Sequence, residues 1–282
     1  MRLGQRLVLK YIRTKFKLLS SISKRKAAAE AFRLFCTPQY RNRKKLPPVF
    51  ESAERISFQL EGVIVNGYRW NHTGEARKKA LILHGFESSV INFDRYIKPL
   101  MRKNYEVLAF DAPAHGRSTG RTITVPLYKN MIRFVHDHYG PVTSFIAHSF
   151  GGLCLCMALE EIRHDESYKI ALIAPAVETR TAIDNFFKFL KLDAEVRKEF
   201  EQLIMGKGGH HPDWYSISRV APSLKANVLF LQDRDDEMTP FKDVQPIIEK
   251  QLPNFQFLIS EGLGHRRIYR ENRSLKAVIE FL

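Results

Sequence analysis

The chain is poor in cysteine. Three residues in 282, Cys36, Cys154 and Cys156, cannot build a disulfide framework, and an odd count fits a reducing compartment. Cys154 and Cys156 stand two apart, so the C-x-x-C spacing of redox and zinc motifs is missing as well. No run of about 18 uncharged apolar residues occurs, which excludes a transmembrane helix. Lys10, Arg13, Lys15 and Lys17 interrupt every apolar stretch near the N-terminus, so no signal-peptide core can be drawn there. Gly-Lys-Ser/Thr is absent, and with it the P-loop type of phosphate cradle. There is no internal repeat and no low-complexity tract. These absences together lead to the expectation of a cytoplasmic protein with reduced thiols.

Acidic residues are scarce at one end only. Residues 1–45 hold 14 Lys and Arg against a single acid, Glu30, a net of +13. The other 237 residues carry 31 basic and 29 acidic groups, so nearly all of the total of +15 belongs to an N-terminal arm. Such a balance points first to nucleic acid or a membrane surface, but the bulk of the chain is close to neutral. Within the arm Leu3, Leu7, Tyr11, Leu18, Leu19 and Ile22 recur at roughly helical spacing between the cations, so residues 1–35 read as helical. Arg41–Pro48, charged and ending in two prolines, reads as a linker. The layout expected is therefore an arm and linker over 1–48 and one domain over 49–282. Residues 27–40 are expected to pack on that domain through Phe32, Leu34 and Phe35. For residues 1–26 two roles stay open, solvated lysines or peripheral contact with an anionic membrane surface; nucleic acid is the less favoured partner.

Apolar residues make up 44% of the chain, enough for one full-sized core. Arg55–Leu60 and Val63–Trp70 flank Glu61-Gly62 and read as a β-hairpin. Short apolar strands then alternate with amphipathic helices. The strands are Ala80–Leu83, Val107–Phe110, Thr143–Ala147, Ile170–Ala174, Val228–Leu231 and Phe255–Ile259; the helices are Asn92–Met101, Pro126–Tyr139 and Phe150–Arg163. That alternation predicts an α/β fold, a mostly parallel sheet covered by helices on both faces. About 50 residues of helical character interrupt the rhythm after Pro175. Made apolar by Phe186, Phe187, Phe189, Leu190 and Leu192, they predict a small helical insertion over about 178–225.

One junction carries chemistry. The strand ending at Ala147 runs into His148-Ser149-Phe150-Gly151-Gly152 and then a helix. A serine between a buried strand and a helix, with small residues two before and two after it, is held in a strained turn with its hydroxyl out of the sheet. The helix start behind it offers free N–H groups to a developing oxyanion. The motif also reads as an ordinary N-cap serine. A serine hydroxyl needs a base, and the base needs an orienting acid. Acids follow the strand ending at Leu231 in Gln232-Asp233-Arg234-Asp235-Asp236-Glu237-Met238-Thr239-Pro240. His265 follows the last strand in Glu261-Gly262-Leu263-Gly264-His265. Ser…Asp…His is the chain order of an α/β-hydrolase. Leu83-His84-Gly85-Phe86 ends another buried strand, so the amides of Phe86 and Phe150 are the expected oxyanion donors. His84 itself reads as structural. His210-His211 is a poor metal signal without further spaced ligands, and neither a metal nor a cofactor is expected.

The segments LILHGFES, DAPAHGRS, AHSFGG, LFLQDRDDEMTP and EGLGHRR, in this order over residues 55–282, resemble the α/β-hydrolase superfamily, particularly small bacterial hydrolases of the lipase/esterase/peptidase-like type. The resemblance implies Ser149 as nucleophile, His265 as base and Asp236 as the acid, because the family's acid stands four residues before a proline. Asp233, where many relatives have glycine, Asp235 and Glu178 are the alternatives. It also implies a helical cap over 178–225 and no catalytic role for Asp111 and His115. Ala147 and Ala114 replace two glycines usual in the family. The expected activity is cleavage of a small-molecule ester, thioester or amide through an acyl-enzyme, with a catalytically silent scaffold that binds a ligand or partner as the alternative.

Overall fold

A computed structural model describes residues 3–73 and 78–282. The first two residues of the helical segment expected over 1–35 lie outside it. The rest of that segment forms α1 (Leu3–Ile22) and α2 (Lys24–Phe35), broken at Ser23, whose hydroxyl caps α2 by accepting from Lys26 N at 3.3 Å. Next come β1 (Glu54–Leu60) and β2 (Val63–Trp70), joined by a two-residue turn. Glu61 and Gly62 both have positive φ, 47° and 77°, as the tightest hairpin turn requires. Then follow β3 (Lys79–Leu83), α3 (Asp94–Arg102), β4 (Glu106–Phe110), α4 (Val125–Tyr139), β5 (Ser144–His148), α5 (Phe150–Leu159) and β6 (Lys169–Ile173). Helices α6 (Thr179–Leu190) and α7 (Ala194–Gly208) interrupt the alternation. The chain closes with α8 (Ile217–Val220), β7 (Asn227–Asp233), α9 (Phe241–Glu249), β8 (Phe255–Ser260), α10 (Gly264–Arg267) and α11 (Asn272–Phe281).

The chain divides into two units: the residues up to Thr37 with Glu178–Tyr215, and Pro38–Val177 with Ser216–Leu282. In the larger unit eight strands form one sheet in the order β1-β2-β4-β3-β5-β6-β7-β8. β1 and β2 run antiparallel; β3 to β8 are parallel, with Leu81 paired to Leu108 on one side and Phe145 on the other. Leu81, Ile82, Leu83, Phe145 and Ile146 are fully buried, as strands covered on both faces must be. Strand order reverses between β3 and β5, and the crevice beyond the carboxyl ends of strands at such a reversal is where open α/β sheets bind ligands. The next residues on these two strands are His84-Gly85-Phe86 and Ser149.

The expected linker is not free. Arg41 donates to the carbonyls of Ser118 (3.3 Å) and Gly120, Arg43 to that of Gly116 (3.2 Å), and Asn42 is buried. Residues from Pro38 onward thus belong with the sheet, because their cations satisfy loop carbonyls there. The insertion is also shorter than 178–225. Ile217 N donates to Val177 O at 2.8 Å, Ile217 and Val220 are buried, and Arg219 forks onto Glu160 at 2.6 and 2.7 Å, so residues from Ser216 belong to the sheet-bearing unit.

The smaller unit is a helical cluster of α1, α2, α6 and α7. Phe16, Ala27, Ala28, Ala31, Ile183, Phe187, Leu190, Val196 and Phe200 form its core. The three alanines are fully buried, and their small side chains let α2 lie close against α7. Phe32 and Phe35 pack on Phe200, in the helical insertion of the domain expected over 49–282, with ring centroids 5.8 and 5.6 Å apart. Phe35 also meets Phe186 edge-on at 5.2 Å. Polar bonds fix the same pairing: Arg13 donates to Phe189 O at 2.6 and 3.1 Å, Ser20 to Asp193 at 2.8 Å, and Lys24 bridges Asp193 and Glu195. Among the described residues no helix is long and apolar enough to cross a membrane.

Candidate active site

Ser149 follows β5 and caps α5 with φ 54° and ψ −124°. Non-glycine residues occupy such dihedrals only where the surroundings enforce them, at a cost of order 1–3 kcal/mol. The enforcement is visible. A Cβ on Gly85 would lie 2.7 Å from Ser149 Cβ, and one on Gly151 would lie 2.7 Å from His84 O. Only glycine at these points lets the β3 and β5 ends approach each other. Ser149 N is tied to Ile173 O at 3.1 Å, which fixes the turn on its other side.

The structure brings Ser149, His265 and Asp236 together. Ser149 Oγ donates to His265 Nε2 at 2.9 Å, and His265 Nδ1 donates to Asp236 Oδ2 at 2.8 Å. All three side chains are buried. Asp236 is itself held: Met238 N and Thr239 N donate to Oδ1 at 2.8 and 2.9 Å, and the Thr239 hydroxyl to Oδ2 at 2.7 Å. Burial pushes the Asp236 carboxyl up. The hydrogen bond and electrostatic attraction of His265, with the two Thr239 donors, outweigh burial and hold it below the ordinary carboxylate value. Phe86 N and Phe150 N bond no acceptor among the described residues. The Phe86 and Phe150 rings meet edge-on at 6.1 Å, which brings the two loop segments side by side.

The other acids have different work. Asp233, fully buried at the end of β7, accepts from Asp235 N (3.1 Å) and Gly264 N (2.9 Å) on one oxygen and from Leu263 N (3.1 Å) and the Ser260 hydroxyl (2.6 Å) on the other. Asp235 accepts from Gly262 N at 2.8 Å. The two carboxylates therefore pin the loop that carries His265, a role sequence reasoning missed. Glu178 stands at the start of α6 in the helical unit.

Three further histidines are buried here, and burial pushes His84 down to about 4 and His115 and His148 to about 3, so all stay neutral. His84 donates to Gly85 O (2.8 Å) and accepts from Ala112 N (2.9 Å); His115 donates to Pro113 O (3.0 Å) and accepts from Glu87 N (3.0 Å). Neutral imidazole supplies one donor and one acceptor, which is what each needs to brace the loop carrying Phe86. Asp111 accepts from Val90 N and Arg117 N, and a Cβ on Gly116 would overlap its carboxylate. His148 was not singled out by the sequence. Its Nε2 donates to His265 O at 3.1 Å and its ring lies 4.7 Å from that of His265. In the helical unit His210 stacks on Trp214 at 3.9 Å, and His211 pairs with Glu201 and Asp213. No cluster of metal-ligating side chains occurs among the described residues.

This geometry can be set beside known proteins. The family described as serine aminopeptidase, S33, matches residues 74–225, more than half of the chain. The uncharacterized hydrolase YugF of Bacillus subtilis is 30% identical over 109 residues, a match covering 37% of this chain and 39% of that protein. The uncharacterized protein YqkD of the same organism is 25% identical over 268 residues, covering 83% of this chain and 82% of the relative. Among solved structures, an esterase from Pyrococcus furiosus is similar with a TM-score of 0.64 at 23% identity, over 88% of this chain and 97% of that one. The mouse α/β-hydrolase domain-containing protein 10 is similar with a TM-score of 0.57 at 15% identity, over 80% and 96%. The likeness to both structures is one of fold.

Proposed function

The chain belongs to the serine aminopeptidase S33 family of α/β-hydrolases, and from that premise we propose that it is a serine hydrolase that cleaves a carboxylic ester, thioester or amide through an acyl-enzyme on Ser149. The observation that carries this reading is the unbroken relay from Ser149 Oγ through the His265 ring to Asp236, with both bonds under 3 Å. His265 Nε2 takes the hydroxyl proton as Ser149 Oγ attacks the carbonyl carbon. The Asp236 carboxylate holds the ring in the tautomer that leaves Nε2 free to accept, and stabilises the imidazolium that results. The unbonded amides of Phe86 and Phe150 donate to the oxyanion; losing such a donor costs about 3 kcal/mol of transition-state stabilisation. His265 then returns the proton to the leaving group, and water, activated by the same ring, releases the acid. The strain at Ser149 keeps Oγ projecting from the turn rather than folded back onto the helix start. A small ester is the substrate favoured.

The test is labelling with a fluorophosphonate probe together with turnover of a panel of p-nitrophenyl esters. Wild type is expected to be labelled at Ser149 and Ser149→Ala to remain unlabelled while keeping the wild-type circular dichroism spectrum. A folded wild type that neither labels nor turns over any ester would refute the proposal in favour of a scaffold that binds without reacting.

A further inference from the structure

Helix α1 has two apolar faces, and only one is used. Leu9, Ile12, Phe16 and Leu19 pack into the core of the helical unit. On the opposite side Leu7 (62% exposed), Tyr11 (70%), Leu18 (62%) and Ile22 (77%) form a ridge at spacings of four, seven and four residues, with Val8 beside it. At 1.5 Å per residue this ridge runs about 22 Å along the helix. Arg6, Lys10 and Lys17 each precede a ridge residue by one position, so they line one flank of it at the same spacing. All three are exposed, and none forms an ion pair among the described residues. The sequence of α1 holds no acidic residue, and Glu30, the one acid of the arm, is already taken by Lys15 and Arg33.

A solvated helix has no use for large side chains on its outer face. Leu9, Ile12, Phe16 and Leu19 pack α1 onto the core, and the exposed ridge takes no part in that core. We propose that this outer face of α1 is a docking surface for an anionic lipid membrane. The ridge would enter the boundary between headgroups and acyl chains, and Arg6, Lys10 and Lys17 would extend along its flank to the phosphates. Charge complementarity selects this occupant. A second copy of the chain would bring one stretch of +9, residues 1–37, against another. A nucleic acid would meet the cations but leave Leu7, Leu18 and Ile22 in water. An anionic bilayer alone satisfies both features of the face at once. Embedded aliphatic side chains and surface cations are the two independent signals that stable peripheral attachment requires.

Sedimentation of the full chain with vesicles of phosphatidylcholine, with and without phosphatidylglycerol, tests this. Two double variants accompany it, Lys10→Gln with Lys17→Gln, and Leu7→Ser with Leu18→Ser. All four positions are exposed, so the helical unit keeps its core, and circular dichroism verifies that. Binding is expected only to the anionic vesicles and to weaken with added salt. At about 1 kcal/mol for each cation near a charged surface, the lysine variant should bind about thirty-fold more weakly. The leucine variant should lose at least about ten-fold, from apolar area no longer withdrawn from water. Three outcomes overturn the proposal: no binding to anionic vesicles, binding independent of phosphatidylglycerol, or variants that bind like wild type. So does a dimer in solution that the leucine variant disperses, which would assign the ridge to a second copy instead.

Discussion

Replacing Asp233 by Asn alters one atom of a side chain with no exposed surface, and the structure sets the consequence. The carboxylate accepts four hydrogen bonds, from Asp235 N, Gly264 N, Leu263 N and the Ser260 hydroxyl. An amide placed with its oxygen toward Asp235 N and Gly264 N must aim its NH2 at Leu263 N and Ser260. Ser260 can rotate to accept, but the Leu263 amide then faces a donor; the reverse orientation strands two amides. Leaving one donor unmet costs about 1–3 kcal/mol, and bonds to a charge are roughly twice as strong as neutral ones. The loss expected at neutral pH is therefore about 3 kcal/mol. Trp70 reports on the sheet-bearing unit and Trp214 on the helical one, so urea unfolding followed by fluorescence in a Trp214→Phe background isolates the relevant transition. The pH dependence adds a second check. Burial raises the Asp233 carboxyl, but the bonds from Ser260, Gly264, Leu263 and Asp235 together leave it below its ordinary value. A carboxyl depressed by folding contributes stability that is complete above its unfolded pKa and lost as pH falls through the folded one. The gap between wild type and Asp233→Asn should thus be flat above about pH 5 and narrow below the usual carboxylate range. A loss under about 0.5 kcal/mol at neutral pH, the size of an ordinary surface change, or a gap that does not change with pH, would refute the role of Asp233 in pinning the His265 loop.

Gly85→Ala should leave the secondary structure intact while lowering ester turnover about a hundred-fold or more, because its methyl would press on Ser149 Cβ and on His148 Nδ1, 2.7 and 3.0 Å away. Steady-state kinetics beside a circular dichroism spectrum checks this, and wild-type turnover would show that the two strand ends can move apart freely. Ala114→Gly should raise stability by about 0.5–1 kcal/mol, since Ala114 sits at φ 66°, where an L-residue is strained and glycine is not. Thermal unfolding measures it, and a lower midpoint would mean that the alanine methyl contributes more by packing than its backbone loses.

The sheet was legible because most of its strands are short apolar runs set between polar, charged or turn-forming residues. Ala80–Leu83 and Val107–Phe110 each begin one residue late against Lys79–Leu83 and Glu106–Phe110. The end of α5 was not legible: beyond Glu160 and Glu161, Ile162 still stands at helical spacing from Ala158 and Leu159, but the helix stops at Leu159. That Ser149, His265 and one of the acids after β7 would gather could be read from order alone, since parallel strands deliver their carboxyl ends to one edge. Which of three neighbouring acids meets the histidine depends on how the turn to Thr239 winds, and a pattern of residue types does not encode that. The partner of the arm was not legible for a related reason. Amphipathic spacing says that a face of α2 is buried, but not against what, and Phe186 and Phe200 lie far away in the chain.

That distance has a consequence for biosynthesis. The helical unit is assembled from two stretches with about 140 residues between them, and those intervening residues are most of the sheet. At a translation rate of about 5–20 residues per second, α2 emerges roughly 7–28 s before α6 and α7 exist to receive it. Throughout that interval Phe32 and Phe35 have no partner, and the nascent arm must stay unaggregated by other means. Mutual repulsion is one such means encoded in it: residues 1–37 hold 10 Lys and Arg against Glu30, a net of +9 that opposes contact between neighbouring nascent chains until the second half of the core is made.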